Sequence, residues 1–125
     1  MFDHVKFGVS DFAASRQFFL EALAPLGVAV VSEGAPTYGV ELCAPGSKAS
    51  LCLCQTAEKP AHLHVAFRAD RREQVDAFYR AALAAGGKDN GKPGPRQGAG
   101  EYYGAFVLDP DGNNIEACAR GAAAR

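Results

Sequence analysis

Residues 4–27, HVKFGVSDFAASRQFFLEALAPLG, and residues 64–87, HVAFRADRREQVDAFYRAALAAGG, align without a gap at an offset of 60. They share His4/His64, Val5/Val65, Phe7/Phe67, Phe18/Phe78, Ala22/Ala82, Leu23/Leu83, Ala24/Ala84 and Gly27/Gly87, eight identities in 24 positions. An internal repeat constrains the fold strongly, because both copies must satisfy the same packing. Two copies are too few for a solenoid, so the chain reads as two equivalent modules packed together. The shared histidine is polar and yet opens an apolar strand in both copies, which singles it out for chemistry.

A chain of 125 residues is one domain by length, with module 1 over about 1–58 and module 2 over about 59–120. Lys59-Pro60 is the expected joint. Net charge is −1, from 13 basic and 14 acidic groups, with no basic stripe for nucleic acid and no polybasic run for a membrane surface. No apolar run approaches the roughly 20 residues of a spanning helix. The start, MFDHVKFGV, lacks the pattern of a signal peptide, so a cytoplasmic location and reduced Cys43, Cys52, Cys54 and Cys118 are expected.

Alternation in DHVKFGV predicts a strand over 3–9, with Val5, Phe7 and Val9 on one face and His4, Lys6 and Gly8 on the other. Ser10 or Asp11 then caps a helix running to about Leu26, with Phe12, Phe19, Leu23 and Leu26 on its buried stripe. Strands follow over Val28–Glu33, Thr37–Cys43 and Ser50–Gln55, so module 1 reads βαβββ. Module 2 repeats the plan: a strand over His62–Ala69, a helix capped by Asp70 with Glu73 three residues on, then strands over Tyr102–Leu108 and Asn114–Ala119. Residues 88–100, KDNGKPGPRQGAG, are rich enough in Gly and Pro to predict an irregular loop, and the tail GAAAR is expected to fray.

Each helix must cover one sheet face, and Val5/Phe7, Val65/Phe67 and Ile115/Ala117 suit that face. Parity then throws His4, His64, Glu116 and Cys118 onto the opposite, concave face, with Cys52 and Cys54 joining them if Leu51 and Leu53 face the helices. Two imidazoles and a carboxylate suit a divalent Fe, Mn, Ni, Co or Zn ion and leave positions open for substrate. A lone strand-start histidine is more often structural than ligating; the duplicated position and matching parity tip the balance toward a metal set of His4, His64 and Glu116.

The pattern DHVKFGVSD, SRQFF, LAPLG, HVAF and YYGAFVLDPDGNNIEA resembles the vicinal oxygen chelate superfamily, which groups glyoxalase I, bleomycin-resistance proteins, extradiol dioxygenases and fosfomycin-resistance proteins. The resemblance covers nearly the whole chain, and DPDGNNIEA is its most specific part. It implies an α+β fold of two βαβββ modules forming a half-barrel-like sheet around a cleft, with helices on the outer face. It matches the family's three ligand positions to His4, His64 and Glu116. It implies a homodimer and a metal-dependent lyase, transferase or dioxygenase acting on a small oxygen-rich substrate. The alternative it carries is a metal-free drug-binding protein of the bleomycin-resistance type.

Glyoxalase I has a further Glu late in its first module; by strand position that site falls near Cys52, and Glu41 lies one strand earlier. His62 and Tyr103 are the candidates for moving a proton. Cys52, Arg68, Arg96 and Tyr102 are the candidates for touching substrate, Arg96 through the planar fork that matches a carboxylate. For each of these a bland role competes: solvent edge for His62, packing for the tyrosines, a solvated charge for Arg68 and Arg96.

Overall fold

The computed structural model describes residues 2–58, 62–98 and 100–125. The Lys59-Pro60 joint lies outside the described residues. The chain runs β1 (His4–Val9), α1 (Phe12–Leu23), a 3₁₀ turn (Ala24–Leu26), β2 (Ala29–Glu33), β3 (Val40–Cys43), β4 (Ser50–Gln55), β5 (His64–Arg68), α2 (Arg72–Ala84), β6 (Lys88–Pro95), β7 (Tyr102–Leu108), β8 (Asn114–Arg120) and a final 3₁₀ turn (Gly121–Ala124). Two four-stranded mixed sheets result, ordered β1-β4-β3-β2 and β5-β8-β7-β6, and neither closes into a barrel. In each, the first strand of the module runs parallel to the last. The class is α+β and the repeat is structural: both halves are βαβββ.

Alternation sets which side chains meet the helices. Phe7, Val9, Val40, Leu42, Leu51 and Leu53 are buried on one side of the first sheet, and Ala105, Val107, Ile115, Ala117 and Ala119 on one side of the second. Phe18, Phe19 and Leu23 of α1 and Val75, Phe78 and Ala82 of α2 close these faces as a single core. The two helices also pack against each other. In one chain they therefore join the modules back to back, and the polar faces of the two sheets are turned away from the helices.

Three details depart from the sequence expectations, and the choice left open at the α1 cap is decided. Residues 88–95 form a strand, not a loop; β6 is an edge strand, where Pro93 and Pro95 cost fewest ladder bonds, and it is irregular around Gly91. Asp70 does not cap α2: Arg71 occupies the cap position without a side-chain bond, and Asp70 N–H donates to Gln74 Oε1 at 2.7 Å. In α1 it is Asp11 that caps, accepting from Ala14 N–H at 3.0 Å. The tail is docked: Ala124 is buried, its carbonyl accepts from Arg72, and Arg125 pairs with Glu101 at 2.8 Å.

Two contacts hold the second sheet in place. Ser10 of module 1 bonds Asp111 of module 2 through both its N–H (3.1 Å) and its hydroxyl. Asp109, buried, accepts from Asp111 N–H (3.0 Å), Asn113 N–H (2.7 Å) and Asn113 Nδ2 (2.9 Å). The Asn113 amide oxygen in turn accepts from Leu63 N–H at 2.9 Å, which ties the DPDGN turn to the entry of β5. That turn thus fixes the register His64↔Asn114. Asn113→Ala leaves the Asp109 carboxylate and the Leu63 N–H short of a partner; a loss of about 2–3 kcal/mol is expected in urea unfolding.

Candidate functional site

The parity argument places His4 on the open face of the first sheet. His4, Lys6, Tyr38, Glu41 and Cys52 line a shallow hollow of about 200 Å³ there. Glu41 reaches it because antiparallel pairing sets Glu41 opposite Cys52, a register that reading strand by strand did not reveal. The Ser50 hydroxyl donates to Glu41 at 2.7 Å. Burial, then the Glu41 charge, push the Cys52 thiol up, so Cys52 stays protonated and is a weak donor toward a metal.

On the open face of the second sheet, His64 and Glu116 come together. Glu116 is only 3% exposed, and its Oε2 lies 3.1 Å from His64 Nε2. The Tyr102 hydroxyl donates to Oε1 of the same carboxylate. Tyr102, Gly104 and Phe106 share this face because β7 pairs them with Arg120, Cys118 and Glu116. Gly104 makes the room: a Cβ there would meet Glu116 Oε1 at 3.2 Å and the Tyr102 ring at 3.0 Å.

Hydrogen bonding fixes how both imidazoles present themselves. His64 Nδ1 lies 3.0 Å from the Asn114 carbonyl oxygen, which can only accept, so Nδ1 carries the proton. A neutral His64 then points the lone pair of Nε2 at the Glu116 carboxylate, another acceptor. Two acceptors at 3.1 Å repel unless a positive charge is shared between them, either as a proton on Nε2 or as a cation bound by both. His4 is built alike: its Nδ1 lies 2.7 Å from the Asp3 carboxylate, which leaves Nε2 free. A histidine whose Nδ1–H is taken by a carbonyl or carboxylate is the arrangement that orients Nε2 toward a metal.

Within one chain the ligand set stays divided. His4 sits on one sheet and the His64/Glu116 pair on the other, and among the described residues no group of three His, Cys, Asp or Glu is poised to hold an ion. His64 and Glu116 fit half a site.

The other sequence candidates scatter. Tyr103 is on the helix side, donating to Asp76 at 2.8 Å with the Arg72 guanidinium 4.5 Å over its ring, so it does not face Glu116. His62 is exposed and sits over Gly112 of the turn, with Nε2 3.5 Å from where a Cβ would stand. Arg68 is exposed at the free edge of β5 and borders a larger hollow of about 570 Å³ on the apolar side between the modules, which holds none of the proposed ligands. Arg96 lies 5.0 Å from the centre of the Phe106 ring, which also neighbours His64. Sequence reading missed Asn114, Asp3, Phe106 and Arg120; each enters through strand register or a contact with a named candidate. All four cysteines are free thiols. No helix among the described residues is long and apolar enough to cross a membrane.

The family profile described as "Glyoxalase/Bleomycin resistance protein/Dioxygenase superfamily" matches residues 1–117. A glyoxalase/bleomycin resistance protein from Albidiferax ferrireducens T118 is 34% identical with a TM-score of 0.81, over 96% of this chain and 99% of that one. This chain belongs to the glyoxalase/bleomycin resistance protein/dioxygenase superfamily. Two more distant structures share the fold. One is an enzyme described as of the glyoxalase/bleomycin resistance protein/dioxygenase family, from Burkholderia phytofirmans PsJN (18% identity, TM-score 0.73, 95% of this chain and 98% of that). The other is the oxidase ChaP-H2 (21% identity, TM-score 0.72, 100% and 98%). No curated protein sequence matches the chain.

Burial first, then the facing Glu116 carboxylate, push the Tyr102 hydroxyl up to about 12. An unfolded tyrosine ionises near pH 10, so the stability this contact adds is complete below about pH 10 and is lost as pH rises toward about 12. Urea midpoints followed from about pH 9 upward are expected to fall more steeply for the wild type than for Tyr102→Phe. Tyr79 and Tyr103, also raised by burial, remain in both proteins and cancel in the comparison.

Proposed function

We propose that the protein is a metal-dependent enzyme acting on a small oxygen-rich substrate, a lyase, transferase or dioxygenase, whose metal site forms between two copies of the chain. The observation that carries this reading is the pairing of His64 Nε2 with Glu116 Oε2 while Nδ1 is held by Asn114. His64 and Glu116 of one protomer and His4 of its partner would hold the ion. Bound there, a divalent Fe, Mn, Ni, Co or Zn ion would act as a Lewis acid on a substrate oxygen. The chain's own groups supply positioning: Asn114 and Asp3 orient the two imidazoles, and Tyr102 holds the carboxylate in one rotamer.

The placement of His4 apart from His64 and Glu116 supports assembly across a two-fold axis. β1 and β5 are each at a sheet edge with one side unpaired. Phe2 before β1 and Val5 within it are 67% and 38% exposed at the rim of the hollow between the modules, an apolar border open to a partner. A two-fold axis that brings β1 of one copy to β5 of the other does so twice, making two equivalent sites. The second reading is a metal-free small-molecule binder. It is favoured by the Tyr102 hydroxyl, which already donates to Glu116 without an ion.

Mixing single-site variants separates the readings. His4→Ala and His64→Ala are each expected to bind less than a tenth of the zinc or nickel that the wild type holds. Unfolded and refolded together, they form mixed dimers in which one site carries His4 from one chain and His64 from the other. Metal content of the mixed dimer, isolated with two different affinity tags, should recover to about half that of the wild type. No recovery in a dimer of proven mixed composition contradicts a shared site. Wild-type protein that binds no metal supports the second reading.

A further inference from the structure

The site face of β7 has a relief that the metal reading does not use. Tyr102, Gly104 and Phe106 alternate large, absent, large, and each aromatic carries a guanidinium. Arg120 lies 3.6 Å from the Tyr102 ring centre and Arg96 5.0 Å from that of Phe106. Between them Gly104 has no side chain, and the Tyr102 ring and Glu116 Oε1 take up the space above it, 3.0 and 3.2 Å from where a Cβ would stand. Among the described residues neither arginine is ion-paired with a carboxylate.

Arg96 is the better fixed of the two. Its Nε donates to the Gly104 carbonyl at 3.2 Å and its Nη2 to the Lys92 carbonyl. Those bonds, with the Phe106 face, orient the guanidinium plane. They use two of its five N–H groups and leave the end-on edge, Nη1 with the second Nη2 hydrogen, for a planar anion. The same Phe106 ring lies 6.1 Å from the His64 ring. A half-buried guanidinium held by backbone carbonyls, stacked on an aromatic and lacking a counter-charge is set up to receive one.

We propose that the substrate of this site is an organic anion: beyond the oxygens presented to the metal it carries a carboxylate or phosphate-type group that Arg96 grips end-on. The inference rests on the metal-site reading for the first half of the substrate and on Arg96 alone for the second. Arg120, stacked on Tyr102, adds positive potential to the same face, which favours the same charge class.

The test uses two probes that differ only in a distal carboxylate, 2-oxoglutarate and 2-oxopentanoate, titrated calorimetrically into zinc-loaded wild type and Arg96→Gln. Wild type should bind 2-oxoglutarate about tenfold more tightly. In Arg96→Gln that preference should fall below about twofold, while 2-oxopentanoate affinity and zinc content stay at wild-type values. Equal affinities in the wild type, binding of neither probe, or a preference that survives in Arg96→Gln each overturns the proposal. Zinc content is measured first. If the wild type holds none, the metal reading fails by itself, and butyrate against its neutral amide, butyramide, titrated into the metal-free protein and into Arg96→Gln, then decides the clamp by the same criterion.

Discussion

A β-strand throws successive side chains to opposite faces, and everything distinctive about this protein depends on that alternation. On one face the requirement is apolar contact with a helix, met by Phe7, Leu51, Val107 and Ile115. Having met it, each strand necessarily presents His4, Glu41 and Cys52, or His64, Tyr102 and Glu116, on the other. A one-residue slip in β8 would send the Glu116 carboxylate into the helix core and Ile115 to the open face. The Asp109–Asn113 turn guards against that slip, because Asn113 bonds both the turn and the entry of β5. A loop motif and a candidate ligand are thus one device: the turn sets the register that puts Asn114 under His64.

Helix packing decides what one chain can do alone. Because α1 and α2 lie against each other, the two modules share a core on their helix sides, and His4 and the His64/Glu116 pair stand on different sheets. The same arrangement that gives a chain of 125 residues one continuous core divides its histidines. Stability within the chain is thus carried by the helix sides of the sheets, while β1 and β5, which carry the two histidines, each stand at a sheet edge.

Much of this was legible in the sequence. The repeat at an offset of 60 predicted two like modules, and the resemblance carried by DPDGNNIEA predicted the family to which the chain belongs. Alternation put His4, His64 and Glu116 on the polar face of their strands. What it could not give was register between strands and packing between modules, since those depend on residues far apart in sequence. Register is what sets Glu41 beside Cys52, Arg120 on Tyr102 and Asn114 under His64. Composition misled at residues 88–95: the Gly- and Pro-rich segment forms an edge strand, because an edge asks for hydrogen bonds on one side only. Tyr103 misled for the opposite reason: it stands next to Tyr102 in sequence and therefore on the other face, bonded to Asp76.

The central claim is that both histidines are prepared, through Nδ1, to offer Nε2 to one ion. Nitrogen-15 NMR of the imidazoles during a zinc titration tests it directly. The account predicts that Nδ1 stays protonated in His4 and His64 throughout, and that both Nε2 signals move together to metal-bound positions and saturate at one zinc per chain. A titration in which His64 responds and His4 does not, or in which neither Nε2 moves, would contradict it.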